Sequence, residues 1–260
     1  MSRSVTLTMN AGVATVTLSQ PEIRNAFSDE VIADITAAFD TVAQHADVRV
    51  VVLAAEGPAF CAGANLNWMR RMADYTREEN VVDAEKLAAM LHTIYTCPHP
   101  TIARVQGDVY AGGIGLVAAC DMAIAVDTAQ FCLSEVKIGL VPATIAPYVL
   151  RAMGARAGHR YFLTAERFDA ATALRIGFVH EVVATDELDN AVDALLKHLL
   201  QAGPAALKAC KKLVLDIAER EINDALTRDT VERIADIRAS DEGKEGVQAF
   251  LSKRKPNWLS

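Results

Sequence analysis

An excess of positive charge is missing from this chain: 26 Lys and Arg stand against 33 Asp and Glu, a net charge of −7. A phosphate backbone calls for a basic face, so this balance argues against nucleic-acid binding. It remains compatible with a small anion held by a local basic cluster. Also absent is any CxxC pair. The five cysteines (Cys61, Cys97, Cys120, Cys132, Cys210) are odd in number and mostly lie in apolar surroundings, which favours buried reduced thiols over bridges or metal ligands. The six histidines (His45, His92, His99, His159, His180, His198) have neither HxH nor HExxH spacing. No metal is expected, and each histidine is read as satisfied or solvent-facing. No G-x-S-x-G elbow occurs, which argues against a serine hydrolase. No uncharged apolar run is long enough to span a bilayer, and Met1-Ser2-Arg3-Ser4-Val5 lacks the apolar core of a signal peptide. These absences point to a soluble protein of a reducing cytoplasm, with no nucleic-acid or membrane partner.

What is present is a large apolar share. Of 260 residues 52% are hydrophobic and 23% charged, the profile of a packed globular protein. Val5, Leu7 and Met9 alternate with polar residues and Val13–Leu18 is β-prone, so a hairpin through Asn10-Ala11-Gly12 is expected. Ser28 opens a helix whose apolar face reads Val31, Ile32, Ile35, Phe39 and Val42. Val48–Ala54 and Met122–Val126 are continuous apolar runs, which suit a parallel sheet buried on both faces. Between them Val81, Ala84, Leu87, Met90, Leu91 and Ile94 mark another helix. Strands separated by helices make the fold class α/β. After residue 184 the segments 188–200, 205–218 and 222–237 carry helical periodicity without a strand signal, and a basic, aromatic tail runs from Phe250 to Trp258.

Two glycine turns carry the chemistry. Phe60-Cys61-Ala62-Gly63-Ala64-Asn65 follows an apolar run, and Ala111-Gly112-Gly113-Ile114-Gly115 lies between two others. Small residues at a strand-to-helix turn leave free backbone amides, and two such turns meeting in space would hold a carbonyl oxygen as it becomes an oxyanion. Gly113 through Ala118 also matches the dinucleotide pattern G-x-G-x-x-[GA]. That motif needs glycines directly after a strand and a full crossover helix. Here 106–111 separate Val105 from Gly112 and Asp121 ends the helical stretch early, so the cofactor reading is set aside. Glu135 stands among Phe131, Leu133, Val136, Ile138 and Leu140, where desolvation would raise its pKa and suit it to moving a proton near neutral pH. An ion pair with Lys137, on the same side if the segment is extended, is the competing reading.

In this order and spacing, Pro21–Ser28, Phe60–Ala64, Gly112-Gly113, Ala119-Cys120-Asp121, Phe131–Pro142 and the closing tail resemble the enoyl-CoA hydratase/isomerase (crotonase) family, over nearly the whole chain. The resemblance implies a spiral of ββα units over 1–195 and a C-terminal helical region over 196–260 that assembles trimers, often paired into hexamers. It implies a coenzyme A thioester as substrate and no resident cofactor. Ala64 and Gly112 would be the oxyanion donors and Glu135 the acid/base. Arg24, Asn25 and Ala26 would lie along coenzyme A, and Ala62, in the turn with Gly63, would contact the adenine. Phe250 and Lys253 would approach coenzyme A bound to a neighbouring subunit. Asn65 stands where the family usually has Asp, with little consequence expected because both cap helices well.

The main departure is Gly115, where two-glutamate hydratases carry their first carboxylate. Hydration calls for water activation at Cβ and a proton at Cα, whereas moving a double bond needs one proton shuttle. A single glutamate therefore suggests a Δ3,Δ2-enoyl-CoA isomerase. Against this, a positioned acid/base is worth ~10²–10⁴ and an oxyanion donor ~10²–10³, so losing one carboxylate need not abolish hydration. Asn67–Met72, Gly112–Ala118 and Tyr161–Phe168 are moreover similar to bacterial methylglutaconyl-CoA and isohexenylglutaconyl-CoA hydratases, whose substrates carry a distal carboxylate. On that resemblance Gly63, Gly113 and Gly115 belong to the coenzyme A and substrate site, Gly115 would leave space for a branched or polar acyl end, and Arg70 or Arg71 could pair with the carboxylate. Asp108 and Tyr110 are further polar groups near the glycine turn. The expectation is thus a hydratase for a glutaconyl-type 2-enoyl-CoA, with the isomerase or a non-catalytic thioester binder as alternatives.

Overall fold

The computed structural model describes residues 4–259, so Ser260 and Met1–Arg3, read above for a leader, lie outside the described residues. The chain opens with the expected hairpin: β1 (Val5–Asn10) and β2 (Val13–Leu18) pair antiparallel from Val5↔Leu18 to Asn10↔Val13. Ala11 (φ 47) and Gly12 (φ 82) take the left-handed backbone that a two-residue hairpin turn demands. Next comes α1 (Asp29–Gln44), with Ser28 Oγ accepting from the Val31 N–H at 3.3 Å. Val31, Ile32, Ile35, Phe39 and Val42 are all buried.

From there the chain repeats one plan: long strand, short strand, helix. The first round is β3 (Val50–Ala55), β4 (Ala59–Cys61), then α2 (Leu66–Met72) and α3 (Arg77–Tyr95). The second is β5 (Thr101–Val105), β6 (Asp108–Tyr110) and α4 (Gly112–Ala119). The third is β7 (Met122–Val126), β8 (Gln130–Cys132), a 3-10 turn at Glu135–Ile138, and α5 (Ala146–Thr164). After these come β9 (Phe168–Asp169), α6 (Ala170–Arg175) and β10 (Glu181–Val183). The long strands form a six-stranded sheet, β1-β2-β3-β5-β7-β10, parallel apart from the hairpin. The short strands form a second sheet, β4-β6-β8-β9, in which β4, β6 and β8 are parallel. Every residue of β3 is buried, as a strand covered on both faces must be. This is the α/β spiral of ββα units.

The short strands are what the sequence did not disclose, because three residues carry no readable alternation. One of them corrects the grounds for setting aside the dinucleotide motif: β6 runs into Gly112 through Ala111 alone. The other ground holds, since α4 has eight residues and leads directly to β7.

The helical part consists of α7 (Leu188–Gln201), α8 (Pro204–Ile217), α9 (Asp224–Ala239) and an unforeseen α10 (Asp241–Leu251). The division at 195/196 falls inside α7, one unbroken helix packed on β3, β5 and β7, so α7 goes with the α/β part. A buried polar joint fastens α8 to the sheets. Lys211 Nζ lies 2.7 Å from Asp121 Oδ2 and donates to the His99 carbonyl at 3.1 Å. The same Asp121 oxygen accepts from Thr101 N–H at 2.7 Å and from its hydroxyl at 2.9 Å. The His99 ring is fully buried, with the Val42 and Ala43 backbones nearby but neither nitrogen in good hydrogen-bond geometry among the described residues. Burial first, then the nearby Lys208, lowers its pKa to about 4. All five cysteines are free; Cys61, Cys97 and Cys132 are buried, whereas Cys210 is exposed.

Candidate active site

Because β4, β6 and β8 are adjacent and parallel, their C-terminal ends open on one side, where ligands of parallel α/β sheets collect. Cys61 leads through Ala62-Gly63 to Ala64, Tyr110 through Ala111 to Gly112, and Cys132 through Leu133-Ser134 to Glu135. The two glycine turns touch. A Cβ on Gly63 (φ +87) would stand 3.0 Å from the Ala111 methyl, and one on Gly113 would stand 2.7 Å from Cys61 Cβ. The Ala111 N–H donates to the Cys132 carbonyl at 2.9 Å, tying the second turn to the strand that precedes Glu135.

Backbone hydrogen bonding leaves the two proposed donors free. The Phe27 N–H donates to the Gly63 carbonyl at 2.7 Å, and the Asn65 N–H to the Phe27 carbonyl at 2.7 Å. Ala64, between them, donates to no acceptor among the described residues, nor does Gly112, the first residue of α4. Ala111 just before it holds φ 47 and ψ −123, a conformation costing a non-glycine residue ~1–3 kcal/mol and typical of functional sites. Gly112 must lack a side chain, since a Cβ would meet the Phe27 ring at 2.7 Å. Phe27 therefore shapes both donor turns, a role its place in the sequence did not announce.

Glu135 opens a 3-10 turn that Gly139 (φ 78) terminates, so the segment is not extended and the same-side geometry with Lys137 does not arise. No ion pair joins them among the described residues. Glu135 Oε2 is buried without a hydrogen-bond partner. Burial raises its pKa above the usual carboxylate range, opposed more weakly by its own backbone N–H. The surroundings differ from expectation in one respect: Leu133 is buried, but Ile138 and Leu140 face outward.

Other expected contacts sort into three kinds. Arg24 is exposed, and its carbonyl accepts from the half-buried Ala62 at 3.0 Å, which puts it beside the first turn. Asn25 and Ala26 are buried instead. The Asn25 amide is consumed internally, accepting from Gln20 N–H at 2.9 Å and donating to the carbonyls of Glu56 (2.9 Å) and Ala59 (3.0 Å). Its side chain holds the loop and cannot lie along a ligand. Asn65 caps α2, accepting from the N–H groups of Asn67 (2.8 Å) and Trp68 (3.4 Å). Arg71 is taken by Asp29 at 2.6 Å, while the exposed Arg70 is bonded to Asn67 at 2.7 Å. Asp108 accepts from Gln130 N–H at 3.0 Å, and Tyr110 lies under the Arg167 guanidinium at 5.4 Å. Phe250, on α10, and Lys253, in the turn after it, stand outside the strand-end turns.

Gly115 requires a correction. The space its side chain would use is filled: a Cβ there would lie 2.3 Å from Ile145 Cγ2 and 3.4 Å from Leu91 Cδ2. No room for a branched or polar acyl end opens at this point. Volume does not locate the site either. A hollow of about 760 Å³ is lined by Met153, Arg156, His159, Arg160, Tyr161 and Arg175 among others, and it shares no residue with the strand-end turns.

Residues 8–260 match the family model of enoyl-CoA hydratase/isomerase. The crystal structure of an enoyl-CoA hydratase from Shewanella pealeana superposes with a TM-score of 0.95 at 42% identity, covering 98% of this chain and 96% of that one. AtuE of Pseudomonas aeruginosa superposes with a TM-score of 0.94 at 35% identity, over 99% and 100% of the two chains. Among curated sequences, the enoyl-CoA hydratase ACTT6 of Alternaria alternata is 35% identical over 248 residues, covering 92% of this chain and 78% of its own length. With two touching donor turns at the ends of neighbouring parallel strands and a family match across the sheets and helices alike, the chain belongs to the enoyl-CoA hydratase/isomerase family.

Proposed function

We propose that this protein is an acyl-CoA hydratase that adds water to, or removes it from, a 2-enoyl-CoA of glutaconyl type. What supports the reading is the meeting of two free-amide turns beside a strand end that carries a buried, unpartnered carboxylate. The thioester carbonyl accepts from the N–H groups of Ala64 and Gly112, whose fixed dipoles favour the enolate over the ground state. Glu135 takes a proton from water as the oxygen bonds to Cβ, then delivers it to Cα as the enolate collapses. One carboxylate thus serves both half-reactions. Arg24 and Ala62 flank the coenzyme A moiety, and Arg70 is the cation left to meet a distal carboxylate.

A second reading, the Δ3,Δ2-enoyl-CoA isomerase, is favoured by the packing at Gly115. Ile145 fills that space with hydrocarbon, leaving Glu135 to shuttle a proton between carbons. The proposal also includes assembly as a trimer or a hexamer of paired trimers, with Phe250 and Lys253 completing a neighbour's coenzyme A site. Its support is the outward-facing apolar side chains Val214, Val231, Ile234, Val247 and Phe250 of α8–α10.

Three substrates separate the readings: 3-methylglutaconyl-CoA, crotonyl-CoA and a 3-enoyl-CoA, with products identified by mass. A gain of water on 3-methylglutaconyl-CoA is the expected outcome. Turnover of the 3-enoyl substrate at constant mass, with neither of the others used, assigns the isomerase. Binding without turnover of any of them leaves a thioester-binding protein.

A further inference from the structure

Two residues in the core each break a local rule, and they break it at the same contact. Gly115 lies inside α4 with ordinary negative-φ backbone, where glycine costs about 1 kcal/mol relative to alanine. Ile145, just before α5, already has helical backbone (φ −86, ψ −20) and makes no side-chain capping bond, so a bulky β-branched residue opens the helix without a cap. Neither choice is explained by its own element. Each is explained by the other, because a Cβ at 115 would lie 2.3 Å from Ile145 Cγ2 and 2.8 Å from its Cβ. Places where local preference is overruled in this paired way are often functional.

The connectivity shows what the contact holds. Gly115 stands one helical turn beyond Gly112 on α4, and the chain reaches Ile145 after the 3-10 turn that starts at Glu135. That turn packs on α5, and α5 packs on α4. Between Lys137 and Ile145 only Pro142 and Ile145 are buried, and Ile138, Leu140 and Val141 face outward. The intervening segment is tied within itself by backbone bonds such as Leu140 N–H to the Glu135 carbonyl at 3.1 Å, but few of its side chains anchor it to the core. We propose that Ile145 is a positioning residue: wedged against Gly115, it locks the turn bearing Glu135 to the helix bearing Gly112. This inference rests on the roles assigned to Glu135 and Gly112 above.

On this inference the wedge also limits water at the carboxylate, whose Oε2 is buried without a partner. Burial is the leading cause of the raised Glu135 pKa, with no charged neighbour contributing. The titratable groups on the packed elements are Lys137 on its own turn, Cys132 on β8, and Tyr148 and Arg151 on the first turns of α5; α4 carries none. Loosening the wedge acts on Glu135 through hydration and geometry.

The test is a reciprocal swap, with folding checked by circular dichroism and melting. Gly115→Ala forces the wedge outward and is expected to lower kcat about 10- to 100-fold, the effect of a sub-ångström to ångström misplacement. Ile145→Gly vacates the wedge and is expected to move the acidic limb of the kcat profile down toward the ordinary carboxylate range. Gly115→Ala with Ile145→Gly removes the clash, placing one methyl where four side-chain carbons were lost, and is expected to recover part of the kcat lost in Gly115→Ala. A merely structural contact would lower the melting temperature of the single variants and leave the pH profile in place; that result overturns the inference. So does a double variant no better than Gly115→Ala alone. Glu135→Gln is run beside them. If it keeps full turnover, the assigned base is wrong and the inference falls with it. If it is inactive while the swap moves neither limb nor rate, the inference alone fails.

Discussion

α1 and the pair α9–α10 look alike as sequences, each amphipathic, yet they meet opposite fates. The apolar face of α1 is covered entirely by this chain, whereas Val231 is 59%, Val247 57% and Phe250 81% exposed. Burying such a side chain contributes about 1.5–3 kcal/mol, which α1 obtains here and α9–α10 do not. Periodicity reports which face of a helix is apolar and says nothing about what will cover it. The contrast extends to the proposed function: at the strand ends the free groups are polar, while in the helical layer they are apolar and underlie the proposed assembly.

Four substitutions or conditions sharpen that division. The largest effect is expected from Glu135→Gln, which should lower kcat by ~10²–10⁴ with the thioester Kd roughly kept. Its stability should move the other way. A carboxyl whose folded pKa is raised binds protons more readily folded than unfolded, so its charged form destabilises the fold above the ordinary carboxylate pKa. Melting at pH 7–8 should therefore be unchanged or higher in the variant; a marked fall would mean the carboxylate is structural. Next is Lys211→Met, which takes the buried cation from the half-buried Asp121 at the joint between α8 and the sheets and leaves it only its Thr101 bonds. Urea unfolding should show a loss of about 1.5–3 kcal/mol, the range for removing a charge-assisted hydrogen bond.

A pH titration of stability comes third. His99 has a folded pKa near 4, below its unfolded value of about 6.5. Between those values the unfolded chain binds the extra proton, so stability is full above the window and falls as pH drops through it. A loss on the order of 1–3 kcal/mol is expected, and His99→Gln should flatten that slope in urea curves at pH 4.5–7. Smallest for the isolated fold is Val231→Asp, expected to change its stability by less than about 0.5 kcal/mol. By sedimentation the same variant should reduce the assembled mass; an unchanged mass would remove the helical layer's outward face from the interface.

How much of this was legible depended on the length of the signal. The hairpin around Ala11-Gly12, the α1 face and the buried run of β3 were readable because alternation or periodicity persisted over six residues or more. β4, β6 and β8 were not, and with them went the neat reason that Ala64, Gly112 and Glu135 share one side. At Asn25 motif membership does not show whether a side chain faces a ligand or braces the loop; three internal hydrogen bonds occupy its amide. Gly115 is similar: an absent side chain does not imply free space, because Ile145 fills it.

Taken by itself, the order of residues determined the α/β class, the late run of helices, the two glycine turns and the solitary acid near them, because these are local in chain and chemistry. Tertiary structure alone decided that the turns touch, that Ala64 and Gly112 keep their amides free, and that Ile145 occupies the gap beside Gly115. Such facts depend on contacts between segments far apart along the backbone, and no local preference encodes which atoms will arrive at a given place.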